Sequence, residues 1–288
     1  MKNIKEIEII DDADLKDFCT LKVGGKAKKL YIVYTIGQLL EVYYYIVSHN
    51  IRCKTIGLGS NLLFSSEGYD GAIIVNKSNN ILYKKNTIYA DSGVTLATLI
   101  HECQSRGLTG LENLAGIPST VGGAVVNNTG AFGVEFGDCV EYVEAIYRNK
   151  TLRLTKEQCK FSYRTSIFKS GDYIITRVKL KLTLDSKENI TDRMISVLRQ
   201  KSISQPLDYP SAGSVFKRGE FIPAKVIDTL GLKGVRVGDA QISSKHAGFI
   251  INTGDASSDD ILSLIHLINE KVKSVYDKTF DLEIEIVK

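Results

Sequence analysis

Three polar side chains and two glycine-bearing stretches are the parts of this 288-residue chain whose types and spacing could do chemistry. Arg164 lies in Phe161-Ser162-Tyr163-Arg164-Thr165-Ser166, a polar, irregular segment between two strand-like runs, where an arginine can anchor an anionic group. Ser214 lies in Ala-Gly-Ser-Val-Phe, a turn entering a strand, and Glu285 on the charged side of the closing run. Each also has an ordinary structural reading. Arg164 could be half of a surface ion pair, Ser214 could satisfy a backbone group, and Glu285 could belong to a solvated edge strand with Asp281 and Glu283. The glycines suggest different chemistry. Gly107 to Gly137 holds eight of the chain's 24 glycines, interleaved with small or amide side chains and almost without charge. Glycine loses more conformational entropy on folding than other residues, so a dense run implies positive φ or a backbone lying against something. A ligand rich in phosphate or ring edges, held by backbone N–H groups, is one reading. A ligand-free Ω-loop or a set of tight strand corners is the other, and composition divides evenly between them.

The second stretch, Gly57-Leu58-Gly59-Ser60-Asn61-Leu62-Leu63, directly follows a strand, the usual place for ligands in α/β units. Leu62 stands where a dinucleotide fingerprint has its third glycine, and no Gly-Lys-Ser/Thr follows, so this is neither that fingerprint nor a Walker A loop. Other chemistries are excluded more simply. His246 has no histidine, cysteine or carboxylate at ligand spacing, and the five cysteines are scattered, so no metal site is expected. No G-x-S-x-G elbow or nucleophile–base pair is visible. A formal net charge of +4, spread along the chain, is far from the dense basic stripe that nucleic-acid binding needs. No apolar run approaches the length of a membrane span, and the charged N-terminus lacks the apolar segment of a secretory signal. An odd set of free thiols fits a reducing compartment. A cytoplasmic protein is expected.

The elements that must position these residues can be read from periodicity and caps. A polar lead-in precedes a short strand and glycine turn at Cys19 to Gly25, and Lys28 to Val33 reads as a strand. Thr35, with Gln38 as capping-box partner, opens a helix carrying Leu39, Val42, Tyr43 and Ile46 inward. Arg52 to Ile56 completes a βαβ unit. Ala72 to Val75 and Thr87 to Ala90 read as strands, and Thr95 opens a helix that Gly107 closes. Beyond the glycine-rich stretch, Cys139 to Tyr147 and Thr151 to Leu154 form a hairpin turning at Asn149-Lys150, and Tyr173 to Leu184 alternates as one strand. Thr191 to Lys201 is a short helix. Pro223 suits a first helical residue before Ala224 to Leu230, with Gly231 as the stop. Ser257 and Asp260 cap a helix that buries Ile261, Leu264, Ile265, Ile268, Val272 and Val275. Phe280, Leu282, Ile284 and Ile286 form the apolar face of the last strand.

Taken together, the segments resemble the UDP-N-acetylenolpyruvoylglucosamine reductase family. The matching pieces run in family order from about Thr20 to Ile286: T-L-K-V-G-G, G-L-G-S-N-L-L, G-L-E-N-L-A-G-I-P-S-T-V-G-G-A-V-V-N-N-T-G-A-F-G, S-Y-R-T-S-I-F, Q-P-L-D-Y-P-S-A-G-S-V-F-K, S-K-H-A-G-F-I-I-N and L-E-I-E-I. The resemblance implies an α+β fold: an FAD-binding two-domain architecture of the PCMH/vanillyl-alcohol-oxidase type plus a third α+β substrate-binding domain. The expected division is 1–76 and 77–190 for FAD, 191–279 for substrate, and 280–288 as a strand carrying the catalytic glutamate back. It implies non-covalent FAD, NADPH as hydride donor, and reduction of the enolpyruvyl group of UDP-N-acetylglucosamine enolpyruvate, by a monomer that binds neither nucleic acid nor membrane. A flavin oxidase of the same architecture and a non-catalytic flavin-binding module are the alternatives.

By the same resemblance Arg164, Ser214 and Glu285 are the catalytic residues: a cation, a proton donor to the α-carbon, and a protonated carboxyl bonding the enolate. Cofactor contacts fall on Gly57, Leu58, Gly59, Ser60, Asn61 and Leu62, and on Ile117, Pro118, Ser119, Thr120, Gly122, Gly123, Ala124, Asn128, Gly130 and Ala131. Tyr163, Lys217 and Arg218 are expected at the substrate, and no residue at a metal. The chain departs from the family in places. Ile284 replaces a common proline, which leaves Glu285 selected by spacing and Glu283 as fallback. Ser119 stands where glycine is common, and Lys16-Asp17-Phe18 differs from the usual N-T-S.

Overall fold

The structure, a computed structural model, describes residues 6–288. The first five residues of the lead-in lie outside the described residues. The chain divides into two compact units: the described residues up to 10 with 30–57 and 72–201, and residues 11–29, 58–71 and 202–288.

In the first unit, helix α1 (Ile36–Ser48) starts at Thr35, whose hydroxyl accepts the Gln38 N–H at 3.2 Å. Gln38 replies one residue further back than expected, accepting the Tyr34 N–H at 2.8 Å. Leu39, Val42, Tyr43 and Ile46 are buried together with Val33, Ala72 and Ile74. The strand Cys53–Ile56 runs parallel to Tyr69–Asn76, which stands between it and Lys26–Val33 in the sheet order. The lead-in is not merely polar coil, because Glu8–Asp14 forms the sheet's outer strand.

The larger sheet is antiparallel, in the order Lys150–Thr155, Val140–Tyr147, Tyr173–Lys181, Thr87–Asp91, Ile81–Lys84. Its hairpin turns one residue earlier than expected, at Arg148-Asn149. Both have left-handed φ (46° and 60°), the twist a two-residue type I′ turn supplies. The run expected as one strand to Leu184 breaks at Leu182. Thr183–Leu184 instead pairs with Leu108–Thr109, and Leu184 is 78% exposed rather than inward. A register shift at Glu144/Ala145 also leaves Ile174, Ile175 and Thr176 all buried, which strict alternation forbids. Helix α2 (Leu96–Ser105) begins at Thr95 and ends before Gly107 (φ 65°), as its caps indicate. The glycine-rich stretch contains a helix that composition hides, α3 (Val121–Asn127).

Helix α4 (Lys187–Ser204) is longer at both ends than expected, and Ser186 caps its start by accepting the Asn189 N–H at 3.1 Å. Its Arg193 reaches Glu112 (2.8 Å), Asp185 (2.6 Å) and Thr109 (3.0 Å). Burial raises the Glu112 pKa, but bonds from Thr109, the Gly110 N–H and Arg193 outweigh it and leave the group below its ordinary value. Bonds from Asn189, Arg193 and the Ser186 N–H bring Asp185 down to about 2 from 3.8. A depressed carboxylate contributes stability above its unfolded pKa and loses it as pH falls through the folded one. The thermal midpoint is therefore expected to drop between pH 3.8 and about 2. Arg193→Met should flatten that drop, measured by melting across the same pH range.

The second unit holds the sheet Ser211–Ser214, Phe249–Asn252, Ala240–Ile242, Arg236–Val237 with helices α5 (Pro223–Thr229) and α6 (Ser258–Tyr276). Pro223 at the first turn and Gly231 past the end bound α5. Ser257 and Asp260 form the capping box of α6. Val275, expected inward, is 61% exposed. It lies on the same stripe as Val272, so α6 outlasts the surface it packs on. The closing strand is shorter than expected. Only Glu285–Val287 pairs, parallel to Leu62–Phe64, while Leu282 makes a single bridge to Phe216. Register on Leu62 turns Val287 inward with Ile284, leaving Phe280, Leu282 and Ile286 half-buried. Among the described residues no helix is long and apolar enough to cross a membrane.

Candidate active site

In the first unit the two glycine-bearing stretches touch. A Cβ on Gly57 would lie 2.3 Å from Thr120 Oγ1, so the end of the Cys53–Ile56 strand rests on the cap of α3 only because Gly57 has no side chain. Thr120 caps α3 by accepting the Gly123 N–H at 3.3 Å. The N–H groups of Val121 and Gly122 donate to Val94 and Ser92 carbonyls at 2.8 Å, Ala124 to Thr120, and Ser119 to Ile117 around Pro118. These N–H groups are already engaged, so what the glycines supply here is close approach. Gly122 shows it, since its Cβ would stand 3.1 Å from the Ser92 carbonyl oxygen. Ser119, at the position where the resemblance leads one to expect glycine, is unstrained, since its φ is not left-handed and its Oγ donates to the Thr120 carbonyl at 3.1 Å.

Arg164 sits in a tight turn closed by reciprocal Ser162 and Thr165 backbone bonds of 3.1 and 3.0 Å, with φ 54°. That left-handed conformation costs a side-chain-bearing residue about 1–2 kcal/mol. Its Nη2 donates to the Gly130 carbonyl at 2.8 Å, and a Cβ on Gly130 would stand 3.0 Å from Nη1. Tyr163, 44% exposed, lies with its ring centroid 5.2 Å from the guanidinium carbon. Asn128 ends α3 and is buried. Its amide donates to Glu135 (2.6 Å) and the Ser162 carbonyl (3.1 Å) and accepts the Gly137 N–H (2.9 Å). It ties the helix end to the arginine's turn. Pro118 is exposed, Ile117 half-buried and Ala124 buried, while Ala131 pairs with Val134 in a minimal hairpin.

The second unit assembles the others. Gly59 has φ 62°, and its Cβ would lie 2.3 Å from the Phe18 carbonyl oxygen, so only glycine fits. Leu58 is exposed and Ser60 half-buried. Asn61 donates its side-chain amide to the Glu283 carbonyl (3.0 Å) and accepts the Glu285 N–H on its own carbonyl (2.9 Å). The Glu283 N–H donates to Val215 (2.8 Å), next to Ser214. The G-L-G-S-N turn, the closing strand and the Ser214 strand are thus laced through Asn61. Ser214 is half-buried opposite Phe249, and Glu285, facing Leu62, is exposed. Lys217 and Arg218 line a cavity with Phe221, Lys278 and Phe280, and the Lys217 N–H donates to the Asp281 carbonyl at 2.9 Å. His246 accepts the Gly248 N–H at 3.2 Å, and burial holds its pKa below the ordinary value.

Sequence reasoning did not foresee the residues that hold the site residues: Ser92 and Val94 beneath α3, and Gly130 as the arginine's acceptor. Only Thr120 gave a signal, as a cap before Val-Gly-Gly-Ala-Val-Val. Thr55 Oγ1, two residues before Gly57, is the buried side-chain oxygen without a partner among the described residues.

Known proteins match along nearly the whole chain. A family model described as "FAD binding domain" matches residues 28–155, and one described as "UDP-N-acetylenolpyruvoylglucosamine reductase, C-terminal domain" matches 205–287. A UDP-N-acetylenolpyruvoylglucosamine reductase of Thermotoga sp. (strain RQ2) is 40% identical over 270 residues, 93% of this chain and 89% of its own. One from Clostridium novyi (strain NT) is 37% identical over 283 residues, 97% of this chain and 92% of its own. The crystal structure of UDP-N-acetylenolpyruvylglucosamine reductase (MurB) from Thermus caldophilus is similar at a TM-score of 0.84 and 36% identity, covering 98% of this chain and 99% of that one.

Proposed function

This chain belongs to the UDP-N-acetylenolpyruvoylglucosamine reductase family, and we propose that Arg164, Ser214 and Glu285 carry its chemistry. The protein is an FAD-containing, NADP-dependent oxidoreductase that reduces the enolpyruvyl group of UDP-N-acetylglucosamine enolpyruvate in peptidoglycan synthesis. The residues fit FAD in two respects: among the described residues Thr55 keeps an unmatched buried hydroxyl near the strand end, and no charge lies in the 117–131 stretch. Gly57 to Leu62, Ile117 to Thr120, Gly122 to Ala124, Asn128, Gly130 and Ala131 would hold it. When bound, FAD supplies the hydride step, taking hydride from NADPH and giving it to the β-carbon of the enolpyruvyl vinyl group.

Negative charge then develops at the substrate α-carbon and spreads into its carboxylate. A cation fixed beforehand stabilises such charge without reorganisation. Arg164, held in its turn by Gly130, meets that requirement, and this held guanidinium is the observation that carries the reading. Ser214 donates the proton that ends up on the α-carbon, a task that a weak acid manages only when closely placed. Glu285 acts as a neutral carboxyl on the enolate oxygen. It is exposed in the chain alone. Tyr163, Lys217 and Arg218 bind the UDP-sugar, the two cations at its diphosphate.

The same proposal places the functional boundaries at 76, 190 and 279; the family matches leave 156–204 between them, around the second boundary. It includes action as a monomer. It also includes a cytoplasmic location, supported by five free cysteines, four of them buried. The test follows NADPH oxidation by FAD-reconstituted protein with and without the enolpyruvyl UDP-sugar. Oxidation that depends on the sugar is expected, and sugar-independent oxidation alone would sink the reading.

A further inference from the structure

Helix α4 reaches the front of the glycine-rich stretch with two cations, and their surroundings differ. Arg193 finds two carboxylates. Lys201, about two turns on, is 5% exposed, and its ammonium has one hydrogen-bond partner among the described residues, the Ala115 carbonyl oxygen at 2.6 Å. Burial alone pushes its pKa down, to about 8, and no opposing charge holds it up. A buried ammonium without an anion is costly, and one carbonyl uses one of its three donors. A methionine would fill much of the same space without that cost, so the fold by itself has no need of the charge.

What Lys201 touches gives the charge a use. Ala115 leads into Gly116 (φ 74°) and then Ile117, Pro118, Ser119 and Thr120, the first half of the stretch assigned to FAD. A Cβ on Gly116 would lie 2.8 Å from Leu198 Cδ2 and 3.9 Å from Lys201 Nζ, so two α4 side chains pack directly against this turn. Downstream, Ser119 to Ala124 are held by carbonyls of the first unit. Upstream, the Ala115 carbonyl is held by Lys201, and a charge-assisted bond is roughly twice as strong as a neutral one.

We propose that Lys201 is a positioning residue for the cofactor: its buried ammonium fixes the Ala115 carbonyl and thereby holds Gly116 to Thr120 in the form that receives FAD. This rests on the FAD reading above. The test titrates full-length apoprotein with FAD, by quenching of flavin fluorescence, and melts the apoprotein in parallel. Lys201→Met should bind FAD roughly tenfold to a hundredfold more weakly, the loss of one hydrogen bond to a charged group. Its apoprotein should melt at or above the wild-type temperature, and Lys201→Arg should recover most of the affinity. Should the methionine variant not fold, Lys201→Gln takes its place with a smaller expected loss. Wild-type affinity in the methionine or glutamine variant overturns the proposal. So does a loss of affinity that merely tracks a lower apoprotein midpoint and that arginine does not restore. A wild-type chain that fails to bind FAD would remove the cofactor reading as well, whereas normal wild-type binding with unchanged variants removes only the role of Lys201.

Discussion

Ser214→Ala is expected to leave NADPH-driven bleaching of the bound flavin unchanged and to slow turnover of the enolpyruvyl sugar by roughly 10²- to 10⁴-fold. The two half-reactions separate because the serine is assigned a proton that moves only after the sugar has accepted hydride. The structure makes the substitution a mild one for the fold. Ser214 is half-buried at the end of the Ser211–Ser214 strand and pairs through its backbone with Phe249, which alanine retains. Gly213 before it, with φ 77°, sets the turn and is untouched. A stability change within about 1 kcal/mol is therefore expected. Stopped-flow reduction by NADPH, followed by mixing with the sugar, measures both steps. If the two slow equally, the serine serves the turn or the cofactor and not the proton transfer.

How much of this could be read beforehand depends on how local the cause is. Thr35, Thr95, Ser257 and Asp260 announce helix ends because a cap bonds to a backbone group three residues away, and Pro223 does so because its fixed φ suits a first helical turn. Helix α3 was hidden for the opposite reason. Two of its seven residues are glycines, and the carbonyls of Ser92 and Val94, nearly thirty residues upstream, hold its first turn. The closing strand was misjudged at Val287 because its register comes from Leu62 to Phe64, not from its own alternation. The candidate site divides the same way. Its proposed residues stand out as motifs, since each motif is a short string. The bonds that hold those residues do not: Arg164 to Gly130, Asn61 to Glu283 and Glu283 to Val215 join positions 34 to 222 residues apart. Ser119 shows the reverse case. A departure from the family that looked consequential in the string is harmless, because its backbone never enters the left-handed region.

Arg164→Asn is expected to reduce turnover of the sugar by roughly 10²- to 10³-fold, the usual loss when a preorganised group facing developing charge is removed, while barely moving the melting temperature. Two opposing terms set the stability outcome. The variant loses the bond from Nη2 to the Gly130 carbonyl, worth about 1.5–3 kcal/mol for a charged donor. It also relieves a left-handed conformation that costs arginine about 1–2 kcal/mol and that asparagine tolerates. The terms nearly cancel, so a large kinetic loss would have no stability loss to explain it. Arg164→Lys keeps the charge, but not the planar fork that bonds Gly130 while presenting further donors, and should fall between the two. The competing view is that Arg164 only staples the Ser162 to Thr165 turn to the glycine-rich stretch. On that view FAD affinity, flavin reduction and sugar turnover would decline together, and lysine would be no better than asparagine. Measuring all three in both variants decides between a guanidinium that holds a loop and one that is held by it.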